Sequence, residues 1–506
     1  MQNTKPRLWT GLFERTPDTG LGLREQLCLL LRQSIRDGSL AVDERLPSTR
    51  VLAQDLAISR VTVEAAYSQL ETEGYLRRQL GQGSFVAIAM HGLPTRPTKM
   101  QARSPSHAAH ASAALSSRGQ RMLATGGCME PLQLQAFAAG GPDLKAFPMD
   151  VWRQLLSRRL RTDSDKLMRY GDPQGHSDLR TAIAQYLAPA RGVNGGADRV
   201  LVLTSSQQAL QLLATVLLDE SDVVWMEDPG YAGARTAFTG AGAHIVNMSV
   251  DDQGAVLDNM LPVPRLIYLT PSHQFPTGNT LALQRRLAFI AFAKRHGAWI
   301  LEDDYDSEFH FDGRPTPALQ GLDHDGRVIY IGTFSKALFP SLRLAYVMLP
   351  PELVQALVIS RSIFDGHTPQ MLQAVTADFI ARGHFAAHLR LMRQLYSSRR
   401  DVLRDAVHRH VPWAQPLPSA GGLQLCVRLP PGTETRLSQQ AAGLGVATPS
   451  LSALYQDRQC IDGWRLGYSA LQPSDIVVNA KLLGTLRPAK KPLRGTPLTT
   501  PHATTR

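Results

Sequence analysis

Tyr330-Ile331-Gly332-Thr333-Phe334-Ser335-Lys336-Ala337-Leu338-Phe339-Pro340-Ser341-Leu342-Arg343 carries an apolar, strand-like run, begun by Val328 and Ile329, into small polar residues, one lysine and then an arginine. A lysine in such a place can hold an aldehyde as a Schiff base. The hydroxyls of Thr333 and Ser335 and the guanidinium of Arg343 can take a phosphate beside it. A lone loop lysine is more often a solvated charge, so the reading depends on what surrounds it in the chain.

Upstream, short apolar runs at 200–204, 223–227, 244–248, 266–270 and 298–301 alternate with helical patterns. That alternation predicts an α/β domain with a largely parallel sheet, whose ligands lie beyond the carboxyl ends of the strands. Three polar stretches fall at those ends. Thr204-Ser205-Ser206-Gln207-Gln208 opens a helix after a strand, where backbone N–H groups can hold a phosphate; alone, it is an ordinary serine cap. Glu227-Asp228-Pro229-Gly230-Tyr231 sets an aromatic ring just after a strand. Leu301-Glu302-Asp303-Asp304-Tyr305-Asp306 gathers acids at a strand end. A divalent metal competes for such acids, but a buried aspartate can instead pair with a pyridinium nitrogen and make the ring an electron sink. No metal is expected; His384 and His388, four apart on a predicted helix, lack a third ligand.

Before residue 90 the pattern is that of a small helical domain with a wing. Leu23, Leu27, Leu30, Leu31 and Ile35 recur at helical spacing, Ser48 and Ser59 are placed to cap two further helices, and Gly74 stops the last. Two short helices about a tight turn form a helix-turn-helix, whose second helix enters the major groove by its first residues, here Arg60, Val61 and Thr62. The run from Tyr75 to Val86, with Gly81-Gln82-Gly83 at its tip, reads as a hairpin able to approach nucleic acid closely.

The length of 506 residues predicts several domains, and four scattered cysteines fit a reducing cytoplasm. Nothing reads as a membrane span or leader. Of the net charge of +11, ten units lie in residues 91–125 and 486–506, which hold no acid. Residues 91–125, with Pro94, Pro97 and Pro105, read as a flexible basic linker, and 486–506 as a disordered tail. The charge alone therefore locates no DNA-binding surface.

Residues 1–90 resemble the winged helix-turn-helix of GntR-type bacterial regulators, through Arg45-Leu46-Pro47-Ser48-Thr49-Arg50, Ser59-Arg60, Thr62-Val63, Ala66-Tyr67, Glu73-Gly74-Tyr75 and Gly81-Gln82-Gly83-Ser84-Phe85-Val86. Residues 126–485 resemble the fold-type I aminotransferases that use pyridoxal 5′-phosphate. Besides the stretches above, the match rests on Tyr170-Gly171-Asp172-Pro173-Gln174-Gly175 and Pro271-Ser272-His273-Gln274-Phe275-Pro276-Thr277-Gly278. The two together resemble the MocR subfamily. The resemblance implies that Arg45, Arg50, Arg60, Thr62, Gly81, Gln82 and Gly83 meet DNA. It implies that Lys336 forms the internal aldimine, that Asp303 pairs with the pyridine nitrogen and Tyr305 with the phenolic oxygen, and that Tyr231 stacks on the ring. Ser205, Ser206, Gln207, Thr333 and Arg343 would cradle the phosphate, Tyr170 would reach it from a partner subunit, and Arg465 would hold a substrate carboxylate.

The chain departs from the family at Val61, often polar, and at Ser205 and Ser341, usually glycine. Phe275 stands where an asparagine usually supports the ring oxygen, leaving Tyr305, with His273 or Gln274 as helpers. The expected function is a cytoplasmic, head-to-tail homodimeric transcriptional regulator of promoter DNA that senses pyridoxal phosphate or a small amino compound. The rivals are a working aminotransferase with a secondary DNA-binding domain, and a cofactor-binding scaffold with neither function.

Overall fold

The computed structural model describes residues 21–79, 81–87, 115–127, 135–312, 316–456 and 460–488. Most of the expected linker and tail lie outside the described residues. The chain divides into two compact units, Met1–Ala109 and His110–Arg506.

The first unit is three helices and a hairpin: α1 (Leu23–Arg36), α2 (Thr49–Asp55), α3 (Arg60–Thr72), β1 (Leu76–Gln79) and β2 (Gly83–Val86). The cap residues behave as their chemistry predicts. Ser48 accepts from the N–H of Val51, and Ser59 from that of Thr62. Leu27, Leu31, Leu52, Val63 and Leu70 are wholly buried in one cluster, each contributing about 2 kcal/mol by burial. Leu23, expected in that stripe, is 49% exposed, because it opens α1 one turn before the packed face begins. β1 and β2 pair antiparallel, Leu76 opposite Val86, and Arg45 bridges to Phe85.

The second unit opens with α4 (Ser117–Ala124), which corrects the linker assignment for residues 117–124. Eight residues with only Met122 and Leu123 as large apolar groups show no period to read. Docking holds the helix instead. Arg121 pairs with Glu220 at 2.9 Å, and Met122 lies so close to Gly240 that a Cβ there would stand 3.1 Å from it.

The helices α5 (Ser177–Arg191), α6 (Ser206–Leu217), α7 (Ala232–Ala241), α8 (Leu283–His296), α9 (Phe334–Ala337) and α10 (Pro351–Phe364) surround an eight-stranded sheet. Its strands are β3 (Val200–Leu203), β4 (Val223–Asp228), β5 (His244–Asp251), β6 (Gly254–Ala255), β7 (Leu266–Leu269), β8 (Trp299–Asp304), β9 (Val328–Thr333) and β10 (Ala345–Met348), in the order β3-β10-β9-β8-β7-β4-β5-β6. The run from β9 through β8, β7 and β4 to β5 is parallel; β10, which sequence patterning did not single out, runs antiparallel between β3 and β9. Alternate residues serve opposite faces. Leu201, Leu203, Ile329, Ile331 and Val347 belong to one buried cluster, and Val200, Val202, Tyr330, Tyr346 and Met348 to another. Both faces are thus covered, as a parallel sheet requires.

A second, antiparallel sheet is built of β11 (Gln415–Pro416), β12 (Gln424–Arg428) and β13 (Gly463–Gly467). Beside it α11 (His384–His410) packs against α12 (Pro473–Gly484). The thiol of Cys426 on β12 meets the carbonyl of Pro276 at 3.0 Å, tying this sheet to the loop after β7.

Candidate functional site

Because β3, β4, β7, β8 and β9 point the same way, the segments leaving their carboxyl ends emerge along one edge of the sheet. Those segments are 204–208, 229–231, 270–278, 303–306 and 333–336, which carry the predicted groups.

Asp303 sits in β8 with its carboxyl wholly buried. The hydroxyl of Tyr268 on β7 donates to Oδ2 at 2.7 Å, while Oδ1 has no hydrogen-bond partner. Burial pushes this carboxyl up to about 7 against the pull of Tyr268, with Asp304 and Asp306 adding to the rise. The neighbouring Asp304 behaves oppositely. Burial works against its charge too, but Arg191 at 2.9 Å and the hydroxyl of Tyr330 hold it below the ordinary aspartate range. Two adjacent carboxyls thus lean opposite ways: Arg191 and Tyr330 hold Asp304 toward the charged form, although its Oδ1 too lacks a hydrogen-bond partner, while burial holds Asp303 toward the neutral acid.

Lys336 lies in α9, a short helix capped by Thr333, whose Oγ1 accepts from the N–H of Ser335. Its Nζ donates to the carbonyl of Gly140 at 2.8 Å. Gly140 is left-handed at φ 75°, and a Cβ there would come 3.2 Å from Nζ. Sequence reasoning missed both Gly140 and Tyr268. Nothing in the isolated segment around Gly140 announces its approach to the lysine, but Tyr268 left a trace: a hydroxyl inside the wholly apolar run of β7, where burial demands a partner.

Three rings meet next to this centre. Phe275 packs edge-on against Tyr231 at 5.6 Å and against Tyr305 at 6.0 Å. The guanidinium of Arg465, from β13, lies 5.5 Å from the centre of the Phe275 ring and donates from Nε to the Ser450 carbonyl. Neither expected helper of Tyr305 is disposed to act. His273 bonds Asp306 through Nδ1 at 2.8 Å and faces His310 at 3.4 Å with Nε2. The amide of Gln274 is used on the carbonyls of Pro229 and Phe275 and on the Thr277 hydroxyl.

The residues expected to cradle an anion lie where β3 turns into α6. Ser205 is extended at φ −167°, which any residue adopts, and its hydroxyl caps α6 by accepting from Gln208 N–H. A serine in place of the family's glycine therefore fits. Gln207 donates to the Gly233 carbonyl at 2.9 Å, and its buried Oε1 has no partner. Ser206 and Gln207 lie in the first turn of α6, whose N–H groups lack intrahelical acceptors. Arg343 follows a 3-10 turn at φ 52°, the left-handed region, and its side chain is exposed. Tyr170 is 99% exposed, its ring 6.0 Å from that of His367. Neither Arg343 nor Tyr170 joins the buried cluster. His388 bonds the Ala337 carbonyl through Nε2 at 3.1 Å and belongs to the packing around α9.

In the first unit, Arg45, Arg50, Arg60 and the wing tip Gly81-Gln82-Gly83 are exposed, as is Val61 at 78%. Three other arginines of this unit are paired with acids: Arg32 with Glu73, Arg77 with Asp43, Arg78 with Glu64 and Glu71. Among the described residues no acid pairs with Arg45, Arg50 or Arg60. Thr62 is half-buried, with its hydroxyl bonded to that of Ser59 at 2.8 Å.

Comparison with known proteins agrees with this division. Residues 23–86 match the family of bacterial regulatory proteins, gntR family, and residues 136–457 match aminotransferase class I and II. The chain is 42% identical over 463 residues to the probable rhizopine catabolism regulatory protein MocR of Rhizobium meliloti, covering 90% of this chain and 92% of that one. It is 31% identical to the HTH-type transcriptional regulator TauR of Rhodobacter capsulatus, over 90% and 94% of the two chains. Among solved structures, LysN, the alpha-aminoadipate aminotransferase of Thermus thermophilus complexed with N-(5′-phosphopyridoxyl)-L-leucine, aligns with TM-score 0.66 and 28% identity, over 76% of this chain and 98% of that one. A winged helix-turn-helix joined in this order to an aminotransferase domain, and shared end to end with such relatives, makes the chain a member of the MocR group of GntR-family transcriptional regulators.

Proposed function

We propose that this regulator holds pyridoxal 5′-phosphate on Lys336 and binds promoter DNA as a homodimer whose affinity depends on that cofactor or on an amino compound reacting with it. The observation that carries the reading is the unpartnered, buried Oδ1 of Asp303. A carboxylate oxygen left dry and unbonded costs several kcal/mol on its own, and a pyridinium N–H removes that cost.

When bound, the cofactor supplies an aldehyde that condenses with an amine and a ring that accepts electrons. Lys336 provides the amine, Asp303 holds the proton on the ring nitrogen, and Tyr268 keeps the Asp303 carboxyl in place. Tyr231 offers a face to the ring and Tyr305 a hydroxyl to its oxygen. Ser205, Ser206, Gln207, Thr333 and Arg343 bind the phosphate, and Tyr170 completes that site from the partner subunit. On DNA, the unpaired Arg50 and Arg60 read the major groove beside Val61, while Arg45 and the wing tip meet the backbone or minor groove.

The test is promoter-fragment binding with and without pyridoxal phosphate, for the wild type and Lys336→Ala. A cofactor-dependent change of several-fold in wild-type affinity, absent in the variant, is expected, together with borohydride trapping of the cofactor on Lys336. Salt-sensitive DNA binding that ignores the cofactor would overturn the sensing half of the proposal. Transamination is the second reading. Arg465, half-buried over the Phe275 ring, could anchor an amino acid carboxylate, and stoichiometric keto acid release would favour that reading.

A further inference from the structure

Behind the anion cradle stands a residue that has no part in the binding reading so far. Both polar atoms of the Gln208 side chain are bonded to the scaffold. Its Oε1 accepts from the N–H of Thr204 at 2.8 Å and from the Thr204 hydroxyl at 3.0 Å. Its Nε2 donates to Oδ2 of Asp365 at 2.9 Å, and its own N–H goes to the hydroxyl of Ser205 at 3.1 Å. Asp365 caps the carboxyl end of α10, one turn after Arg361, with which it is paired. The amide of Gln208 therefore fastens the segment between β3 and α6 to the end of a different helix, across 157 residues of sequence.

We propose that Gln208 is a positioning residue for the phosphate: it fixes residues 204–206 so that the first-turn N–H groups of α6 converge on one point. The argument is one of preorganisation. A strand-to-helix turn with a free Thr204 N–H has several low-energy shapes, and only some of them aim consecutive amides at a single anion. Binding Thr204 by two hydrogen bonds to one oxygen selects the shape before the anion arrives. The neutral amide also separates the Asp365 carboxylate from the cradle, which a glutamate at 208 would not do.

This inference rests on the cofactor reading above, and the experiment separates the two. Pyridoxal phosphate and pyridoxal, which lacks the phosphate, are titrated into the full chain by absorbance for wild type, Gln208→Met and Thr204→Val, with melting temperatures recorded. Gln208→Met keeps the side chain's length and removes its hydrogen bonds. The loss of two to three such bonds predicts a rise in Kd for pyridoxal phosphate of about tenfold, with the Kd for pyridoxal changed less than about twofold. Thr204→Val removes one donor, predicting a phosphate-selective rise of about threefold; it carries the test if Gln208→Met does not fold. Equal losses for both ligands would mean that Gln208 only supports the fold, and no loss would mean that the cradle is set without it; either overturns the proposal. If the wild type binds neither aldehyde, the cofactor reading itself fails.

Discussion

Asp303 concentrates the chemistry of the site because its environment favours the neutral acid until something positive arrives. Burial pushes it up to about 7, and Glu227, Glu302 and Glu308 are likewise pushed up to about 7, by burial first in each case. The sign of the consequence is fixed. Between the ordinary carboxylate range and about 7, the folded chain keeps protons that the unfolded chain has released. Stability is therefore greatest at the acid side of this window and falls as pH rises through it. The unloaded protein should show a melting temperature that declines from about pH 5 to about pH 7, and Asp303→Asn, which has no proton to lose, should make that decline shallower while Glu227, Glu302 and Glu308 still contribute to it. Cofactor loading should make it shallower too in the wild type, by giving the charged carboxylate a partner, and should not do so in Asp303→Asn. A decline of the same steepness in the variant would show that Asp303 does not titrate in this window.

At the scale of elements, the legible parts were those whose signal is local. The caps at Ser48 and Ser59, the strands preceding each polar stretch and the lysine after β9 all follow from short-range chemistry and appear where expected. What escaped was set by tertiary contact. β10 is four residues of ordinary composition that gain their identity from lying between β3 and β9. Leu23 matches the helical period and still faces solvent, because periodicity does not say where a packed face begins. α4 offers too few large apolar residues for a period to be read, and its register depends on Arg121 meeting Glu220 and Met122 meeting Gly240. That dependence is testable. Arg121→Glu should raise amide exchange across Ser117–Ala124 by about fivefold or less, since an exposed ion pair contributes only about 1 kcal/mol. Gly240→Leu, which fills the space of Met122, should undock the helix more completely. Protection of α4 unchanged in both variants would mean that other contacts hold it. Because α7 follows directly on Tyr231 and packs against α4, the same helix touches both the candidate cofactor site and the helix that precedes the aminotransferase domain.

At the scale of the whole molecule, the single chain leaves large apolar groups uncovered. Tyr170 is an aromatic side chain 99% exposed, and α10 presents Ile359, Ile363 and Phe364 at 51%, 77% and 57% exposure. Contiguous apolar exposure of this kind is costly in water and suits an interface, and a two-fold interface places the same residues of each copy against the other. If Tyr170 serves the phosphate of the partner's site, then each site draws Lys336 from one chain and Tyr170 from the other. Co-expression of Lys336→Ala with Tyr170→Ala then has a definite outcome. Each mixed dimer contains one doubly damaged site and one site that is wild type throughout. With random pairing, half of the dimers are mixed, so about a quarter of all sites should bind pyridoxal phosphate with wild-type affinity, although neither parent variant does so alone. Borohydride trapping at low cofactor concentration counts those sites, and peptide mass identifies the labelled chain. The label should fall on the chains bearing Tyr170→Ala, because they alone retain Lys336. Restored tight sites in that proportion require a site shared between subunits. A mixture with no more tight sites than the Tyr170→Ala parent would mean that Tyr170 acts within its own chain or not at all.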